Sequence, residues 1–175
     1  MALKSTIYKA NIQLSDMDRN YYDTINLTIA KHPSETDQRL MIRLVCFLLN
    51  AHQDLQFGKG ISDEDEAAIW QKNYSDEIEL WIELGQVDSK RIKKACSRAK
   101  QVILYTYGND VWWPQVENKM AAFDNLSVKS FPKDICQQLE QIADRNMEMQ
   151  CSIQDGQMWL TLNEKTLLIE TQTLK

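Results

Sequence analysis

A mixed α/β fold is what this sequence predicts, on three observations. Residues 78–84 form an apolar run, Ile78-Glu79-Leu80-Trp81-Ile82-Glu83-Leu84, that Gly85 stops. Over about 89–101 apolar residues recur at helical spacing (Ile92, Ala95, Cys96, Ala99), and Val102-Ile103-Leu104-Tyr105 follows as a nearly continuous apolar segment. A strand, a helix and a buried strand make a crossover unit, which requires parallel neighbours. Near both ends of the chain, finally, apolar and polar residues alternate strictly, the pattern of antiparallel strands with one buried face.

Taken in order, Tyr8, Ala10, Ile12 and Leu14 alternate with Lys9, Asn11 and Gln13; beyond Asp16 to Asn20, Ile25, Leu27 and Ile29 alternate with Asn26 and Thr28. These are two antiparallel strands, the second ended by His32-Pro33. Ser34-Glu35-Thr36-Asp37 supplies a hydroxyl N-cap with an acid three residues on, ahead of Leu40, Met41, Leu44, Val45 and Leu48, so a helix is expected over about 34–51. An acidic loop, Asp63-Glu64-Asp65-Glu66, precedes a strand through Ala68, Ile69 and Trp70 and a turn at Asn73-Tyr74-Ser75-Asp76. The middle of the chain is therefore expected to run helix, strand, strand, strand, helix, strand. Further on, Val111-Trp112-Trp113 reads as a short helix or packed loop, Leu126 to Phe131 as a strand, and Lys133 to Ala143 as a helix with Ile135, Leu139 and Ile142 on one face. Met147, Met149, Cys151 and Ile153 then alternate up to Asp155-Gly156, a tight hairpin turn; Met158, Leu160 and Leu162 alternate back, and Leu167 to Ile169 can add a third strand.

The length, 175 residues, suits one domain spanning 1–175 with a core that needs neither disulfide nor metal. A net charge of −5 argues against indiscriminate nucleic-acid binding, so any such binding must come from a local patch. Cys46, Cys96, Cys136 and Cys151 form neither a Cys-x-x-Cys pair nor a zinc spacing with His32 and His52, and read as free thiols of a reducing cytoplasm. No run approaches the roughly 20 apolar residues that span a bilayer, and the first residues lack a signal-peptide core, so no membrane partner is expected. Two histidines leave no legible Ser-His-Asp or Cys-His constellation, and Gly58-Lys59-Gly60 lacks the spacing of a phosphate loop.

What remains is a set of carboxylates beside a run of bases. On the 78–84 strand, Glu79, Trp81, Glu83 and Gly85 share one side, and Ile78, Leu80, Ile82 and Leu84 are expected to face the core. Glu79 and Glu83 are then roughly 13 Å apart, too far to share one ion. A turn centred between Ser75 and Asp76 puts Glu83 opposite Ala68 and Gly85 opposite Glu66, which makes Glu66 and Glu83 the candidate pair for Mg²⁺ or Mn²⁺. Residues 88–100 then offer Lys90, Arg91, Lys93, Lys94, Arg98 and Lys100 against a single acid, Asp88, a local cationic patch suited to phosphate. Trp81, Trp112 and Trp113 read as packing residues before base-stacking platforms.

Several stretches together resemble one bacterial family: the start through Lys9-Ala10, His32-Pro33-Ser34-Glu35-Thr36, Trp81-Ile82-Glu83-Leu84-Gly85-Gln86, Arg91-Ile92-Lys93-Lys94-Ala95, Tyr105-Thr106-Tyr107 and Ile153-Gln154-Asp155-Gly156. They are similar, over essentially the full length, to the YaeQ family. That resemblance implies a restriction-endonuclease-like mixed sheet, the PD-(D/E)xK nuclease fold with its αβββαβ core, with antiparallel strands added at both ends. It also implies roles. Glu83 takes the place of the third-strand metal ligand and Glu35 resembles the helical acid that some members use. The lysine place two residues on is Gly85, so Lys93, Lys94 or Lys90 would supply that charge from the helix. The second-strand acid place is Ala67-Ala68, leaving Glu66 as substitute. The implied activity is a Mg²⁺- or Mn²⁺-dependent nucleic-acid phosphodiesterase with Glu83, Glu66, Glu35, Lys93 and Lys94 at its centre and Lys90, Arg91 and Arg98 holding nucleic acid. The alternative is a nuclease-fold protein that binds a nucleic acid or protein partner without turnover.

Overall fold

The computed structural model describes residues 4–59, 61, 63–108 and 111–175, and the chain divides into two compact units, residues 1–49 with 134–170 and residues 50–133 with 171–175. It is a mixed α/β protein in which each unit has its own sheet.

The first unit's sheet joins the two ends of the chain. Strands β1 (Thr6–Asp16) and β2 (Tyr21–Lys31) form the expected hairpin, closed through Asn20 at φ 55. β8 (Asn146–Gln154) and β9 (Gln157–Leu162) form the second, turning on Asp155 and Gly156, both at positive φ as a type I′ turn requires. β10 (Lys165–Ile169) follows across Asn163 and Glu164, again both at positive φ. Sequence alternation finds these strands but not how the hairpins meet: β8 runs parallel to β1, with Met149 opposite Ile12, giving the order β10-β9-β8-β1-β2. Tyr8, Ala10, Ile12 and Leu14 of β1 and Met147, Met149, Cys151 and Ile153 of β8 are buried on one face.

Helix α1 (Asp37–Leu49) is shorter than expected because its cap is Thr36, whose Oγ1 accepts from Arg39 N at 3.1 Å, while the Ser34 hydroxyl meets His32 Nδ1 at 2.6 Å instead. It is buried from Leu40 through Leu48, Arg43 included. Helix α4 (Lys133–Ile142) buries Ile135, Cys136 and Leu139.

The second unit's sheet has the order β11-β7-β6-β5-β4-β3. Its members are β3 (Leu55–Phe57), β4 (Ile69–Lys72), β5 (Ile78–Leu84), β6 (Ala99–Thr106), β7 (Leu126–Ser130) and β11 (Gln172–Thr173). β3, the first of the three strands expected after the leading helix, is too short to show alternation. Gly58 beside it is required by close approach, since a Cβ there would sit 1.9 Å from the Ala67 carbonyl oxygen. The crossover unit is present: β5 and β6 are parallel, joined by α2 (Ser89–Arg98), and β6 and β7 are parallel, joined by α3 (Trp112–Met120). Helix α2 starts on Asp88, whose Oδ1 accepts from Arg91 N at 2.9 Å. It ends three residues before the expected 101: Ala99 is already extended, and Asn125 Nδ2 donates to the carbonyls of Cys96 (2.9 Å) and Ala99 (3.0 Å). Ala99 is buried in either conformation, so apolar spacing could not place that boundary.

One expectation about β5 is corrected. Its Trp81–Glu83 side is not the open one: Trp81 is fully buried in a cluster with Ile92 and Ala95 of α2 and Val102, Leu104 and Val128 of the sheet, whereas Leu80 is half-buried. Both faces of β5 are thus apolar and largely covered, as for strands inside parallel sheets. Among the described residues, no helix is long and apolar enough to cross a membrane. All four cysteines are free.

Candidate functional site

The register expected between β4 and β5 is present over Ile69–Gln71. Ile69 pairs with Ile82, Trp70 with Trp81 and Gln71 with Leu80, but the ladder starts at Ile69, so the expected Ala68–Glu83 and Glu66–Gly85 pairs lie beyond it; a bulge where Gln71 meets Leu80 but Lys72 meets Ile78 absorbs Glu79. Glu79 is thereby turned to its own partners, Asn73 Nδ2 at 2.8 Å and Lys100 Nζ at 2.6 Å, and the hydrogen bond from Lys100 holds its carboxyl below the usual carboxylate range.

Glu83 sits at the carboxyl end of β5, 3% exposed. Its Oε1 accepts from Trp81 Nε1 at 2.7 Å and lies 2.9 Å from Arg91 Nη2. Arg91 comes from the first turn of α2, so the crossover carries it back over the strand that the chain has just left. The same guanidinium donates to the backbone carbonyls of Glu64 (3.0 Å) and Glu66 (2.9 Å). A buried carboxylate needs a paired cation or a set of donors, and Arg91 with Trp81 supplies both.

Glu66 contributes its backbone to this arrangement, not its carboxylate: Oε2 accepts from Lys59 N at 2.8 Å and Oε1 is 4.0 Å from Lys59 Nζ. The rest of the acidic loop binds the helix. Lys94 Nζ meets Asp65 Oδ1, and that hydrogen bond lowers the Asp65 carboxyl; Arg98 donates to the Asp65 carbonyl at 2.8 Å and its guanidinium lies 5.3 Å from the Trp81 ring centroid. Arg91, Lys94 and Arg98, spaced along one side of α2, are thus engaged by residues 64–66. Lys90 and Lys93 are exposed and have no partner among the described residues. A shallow cavity of about 310 Å³ lined by Glu64, Asp88, Lys90, Arg91 and Lys94 opens beside the pair.

In the first unit Glu35 is buried and held by two arginines of α1: Arg39 Nη1 contacts Oε2 and Arg43 Nη2 lies 2.8 Å from Oε1. Burial pulls the Arg43 guanidinium below its usual range, and Glu35 opposes that shift. Arg43 Nη2 also donates to the Ala30 carbonyl at 3.0 Å, so Glu35 anchors the start of α1 to the end of β2.

Whether these residues suit the divalent ion that the resemblance implied is a question of donors. The residue just before β4 is Ala68, two residues after Glu83 stands Gly85, and the Glu66 carboxylate is turned to Lys59. Mg²⁺ and Mn²⁺ need several oxygen donors at about 2.1 Å, and one carboxylate whose oxygen already faces a guanidinium is a poor start. Among the described residues no group of three or more His, Cys, Asp or Glu side chains could hold a metal. The donor set therefore fits Arg91, not a divalent ion.

The model of the family described as YaeQ protein matches residues 1–171. The chain belongs to the YaeQ family. It is 46% identical over 173 residues to YaeQ of Salmonella typhi, spanning 97% of this chain and 96% of that one. To YaeQ of Escherichia coli it is 44% identical over 170 residues, 95% and 94% of the two chains. Crystal structures of YaeQ proteins share the fold throughout: that from Xanthomonas axonopodis pv. citri at a TM-score of 0.93, 37% identity and 98% of each chain, and that from Pseudomonas syringae at 0.95, 32% identity and 98% and 96%. The partnership of Trp81, Glu83 and Arg91 is what sequence reasoning missed about a YaeQ chain such as this. A signal existed: an arginine in the first turn of a crossover helix is returned over the end of the preceding strand.

Proposed function

We propose that this YaeQ chain is a non-catalytic member of a restriction-endonuclease-like fold that binds nucleic acid through α2. The order α1, β3, β4, β5, α2, β6 along the chain, with β4 antiparallel and β6 parallel to β5, supports that fold reading. The observation that carries the non-catalytic reading is the Arg91 guanidinium on Glu83 Oε1 at 2.9 Å, a fixed protein cation at the carboxylate on which a nuclease of this fold would hold its metal. Phosphate then meets the helix at Lys90 and Lys93, exposed bases with no partner among the described residues. The test is fluorescence anisotropy with labelled DNA and RNA oligonucleotides, run with chelator and with Mn²⁺, beside a cleavage assay. Binding insensitive to chelator and lost in Lys90→Glu/Lys93→Glu is expected, with a salt slope of about one or two phosphates. Mn²⁺-dependent cleavage that Glu83→Ala abolishes would overturn the reading.

The metal-dependent phosphodiesterase, with Glu83 and Glu66 as ligands, Lys93 or Lys94 on phosphate and Glu35 in support, is the second reading. It is favoured by one feature, the burial of Glu83 at the carboxyl end of β5, and it requires Arg91 to leave Glu83 and Glu66 to leave Lys59.

A further inference from the structure

The outer edge of β2 is eleven residues long, and among the described residues its only ladder partner is β1. Along that edge, among the described residues, one backbone group is met by a side chain, the Ala30 carbonyl by Arg43. The opposite edge of the same sheet, β10, is five residues long. Proteins blunt long edges with bulges, prolines, lysines or a covering element, because unpaired N–H and C=O groups recruit another strand. β2 uses none of these between Tyr22 and Ala30: its register with β1 is unbroken, it contains no proline, and Asp23 is the one charge there. Its apolar side is unfinished too. Ile25, Leu27 and Ile29 lie opposite Ile12, Ala10 and Tyr8 on the buried face of β1, yet Ile25 and Leu27 are only partly buried where their β1 partners are fully buried, so the apolar layer runs toward the edge.

We infer that β2 pairs antiparallel with β2 of a second copy of this chain, joining two five-stranded sheets into one. Residues opposite each other in an antiparallel ladder lie on the same face, so Ile25, Leu27 and Ile29 meet an apolar face only in registers that pair odd-numbered positions with odd-numbered ones. The strand satisfies this with itself. The register centred on Leu27 places Leu27 opposite its own copy, Ile25 opposite Ile29, and Asp23 opposite Lys31, opposite charges that a shift by two residues would separate. Lys31 already lies 2.8 Å from Asp37, so Asp23 of the other copy joins an existing ion pair. This surface is independent of α2 and of any nucleic acid. An interface of one strand pair is at the small end for specific association, so dissociation in the micromolar range is expected.

Sedimentation equilibrium across a concentration series is the test. The native chain is expected to approach twice its 20.4 kDa mass. Leu27→Asp, which sets two carboxylates face to face at the axis, is expected to stay monomeric with an unchanged circular dichroism spectrum. Leu27→Cys is expected to form a disulfide-linked dimer on mild oxidation, because directly opposed Cβ atoms lie within disulfide reach. A native chain that is monomeric at every concentration overturns the inference, including the case in which another protein's strand uses this edge. A dimer undiminished by Leu27→Asp, or Leu27→Cys that cross-links no more than the native chain, overturns it as well.

Discussion

Replacing Arg91 with alanine tests the central pair most directly. The substitution leaves Glu83, with a side chain 5% exposed, facing only the Trp81 indole N–H, and takes donors from the carbonyls of Glu64 and Glu66. Stranding one member of a buried ion pair costs about 3–5 kcal/mol, and the lower end applies because the Arg91 side chain is itself 23% exposed. The two carbonyls regain water and add roughly 0.5 kcal/mol each. The expected loss is therefore about 3–4 kcal/mol, large against the 5–15 kcal/mol of a typical domain. Urea unfolding followed by tryptophan fluorescence reads it out, since Trp70, Trp81, Trp112 and Trp113 all lie in residues 50–133. A second arm isolates the charge. Glu83→Gln keeps an acceptor for Trp81 but has no charge to strand, so in that background Arg91→Ala is expected to cost only about 1 kcal/mol, a coupling of roughly 2 kcal/mol or more. A loss under about 0.5 kcal/mol, or two single costs that add without coupling, would refute the assignment of Arg91 as the resident cation of Glu83.

Two further outcomes rest on local physics. Glu164 sits at φ 67 in the β9–β10 turn, a region that costs a residue with a Cβ roughly 1–2 kcal/mol, so Glu164→Gly is expected to stabilise the fold by about 0.5–1 kcal/mol despite glycine's freer unfolded chain, and calorimetry showing a lower Tm would contradict this. Burial pushes the thiols of Cys96 and Cys136 up to about 11 and that of Cys151, with Asp16 nearby, up to about 12. At about pH 8 only on the order of one thiol in a thousand is then ionised, so alkylation of the native chain should be slow and rise about tenfold per pH unit up to the pKa; one fast-reacting equivalent near neutral pH would contradict the burial.

Where a segment's own side chains decide its conformation, the sequence was readable. Tyr8 to Leu14 and Met147 to Ile153 alternate because one face of each strand is buried, and Asp155-Gly156 is a hairpin because both residues tolerate positive φ. Even the β4–β5 register is as expected over Ile69–Gln71, since a one-residue slip would have put Ile69 and Ile82 on the wrong face; it stops before Ala68 and Glu66 and shifts at Lys72, where a bulge absorbs Glu79. Pairing between distant segments was not readable. That β8 adds to β1 in parallel depends on two hairpins more than a hundred residues apart in sequence, and neither alternation pattern carries the partner's identity.

The candidate site failed to be legible for the same reason, and the failure alters what its charges mean. In sequence the acidic run 63–66 and the basic run 90–98 look like two independent features, one inviting a metal and the other a phosphate. In the fold they are each other's partners: Arg91 holds the carbonyls of Glu64 and Glu66, Lys94 holds Asp65, and Arg98 holds its carbonyl. The six bases of residues 90–100 therefore present less free charge than their count suggests, because Arg91 pairs with Glu83, Lys94 with Asp65, and Lys100, already in β6, with Glu77 and Glu79. Lys90 and Lys93 have no partner among the described residues and the exposed Arg98 meets only a carbonyl, so on the nucleic-acid reading proposed above the affinity would come from a few screened charges and fall with salt. Glu83 takes its cation from the helix, and the charge left over after these pairings, on Lys90, Lys93 and Arg98, is the part of the patch that a partner would meet.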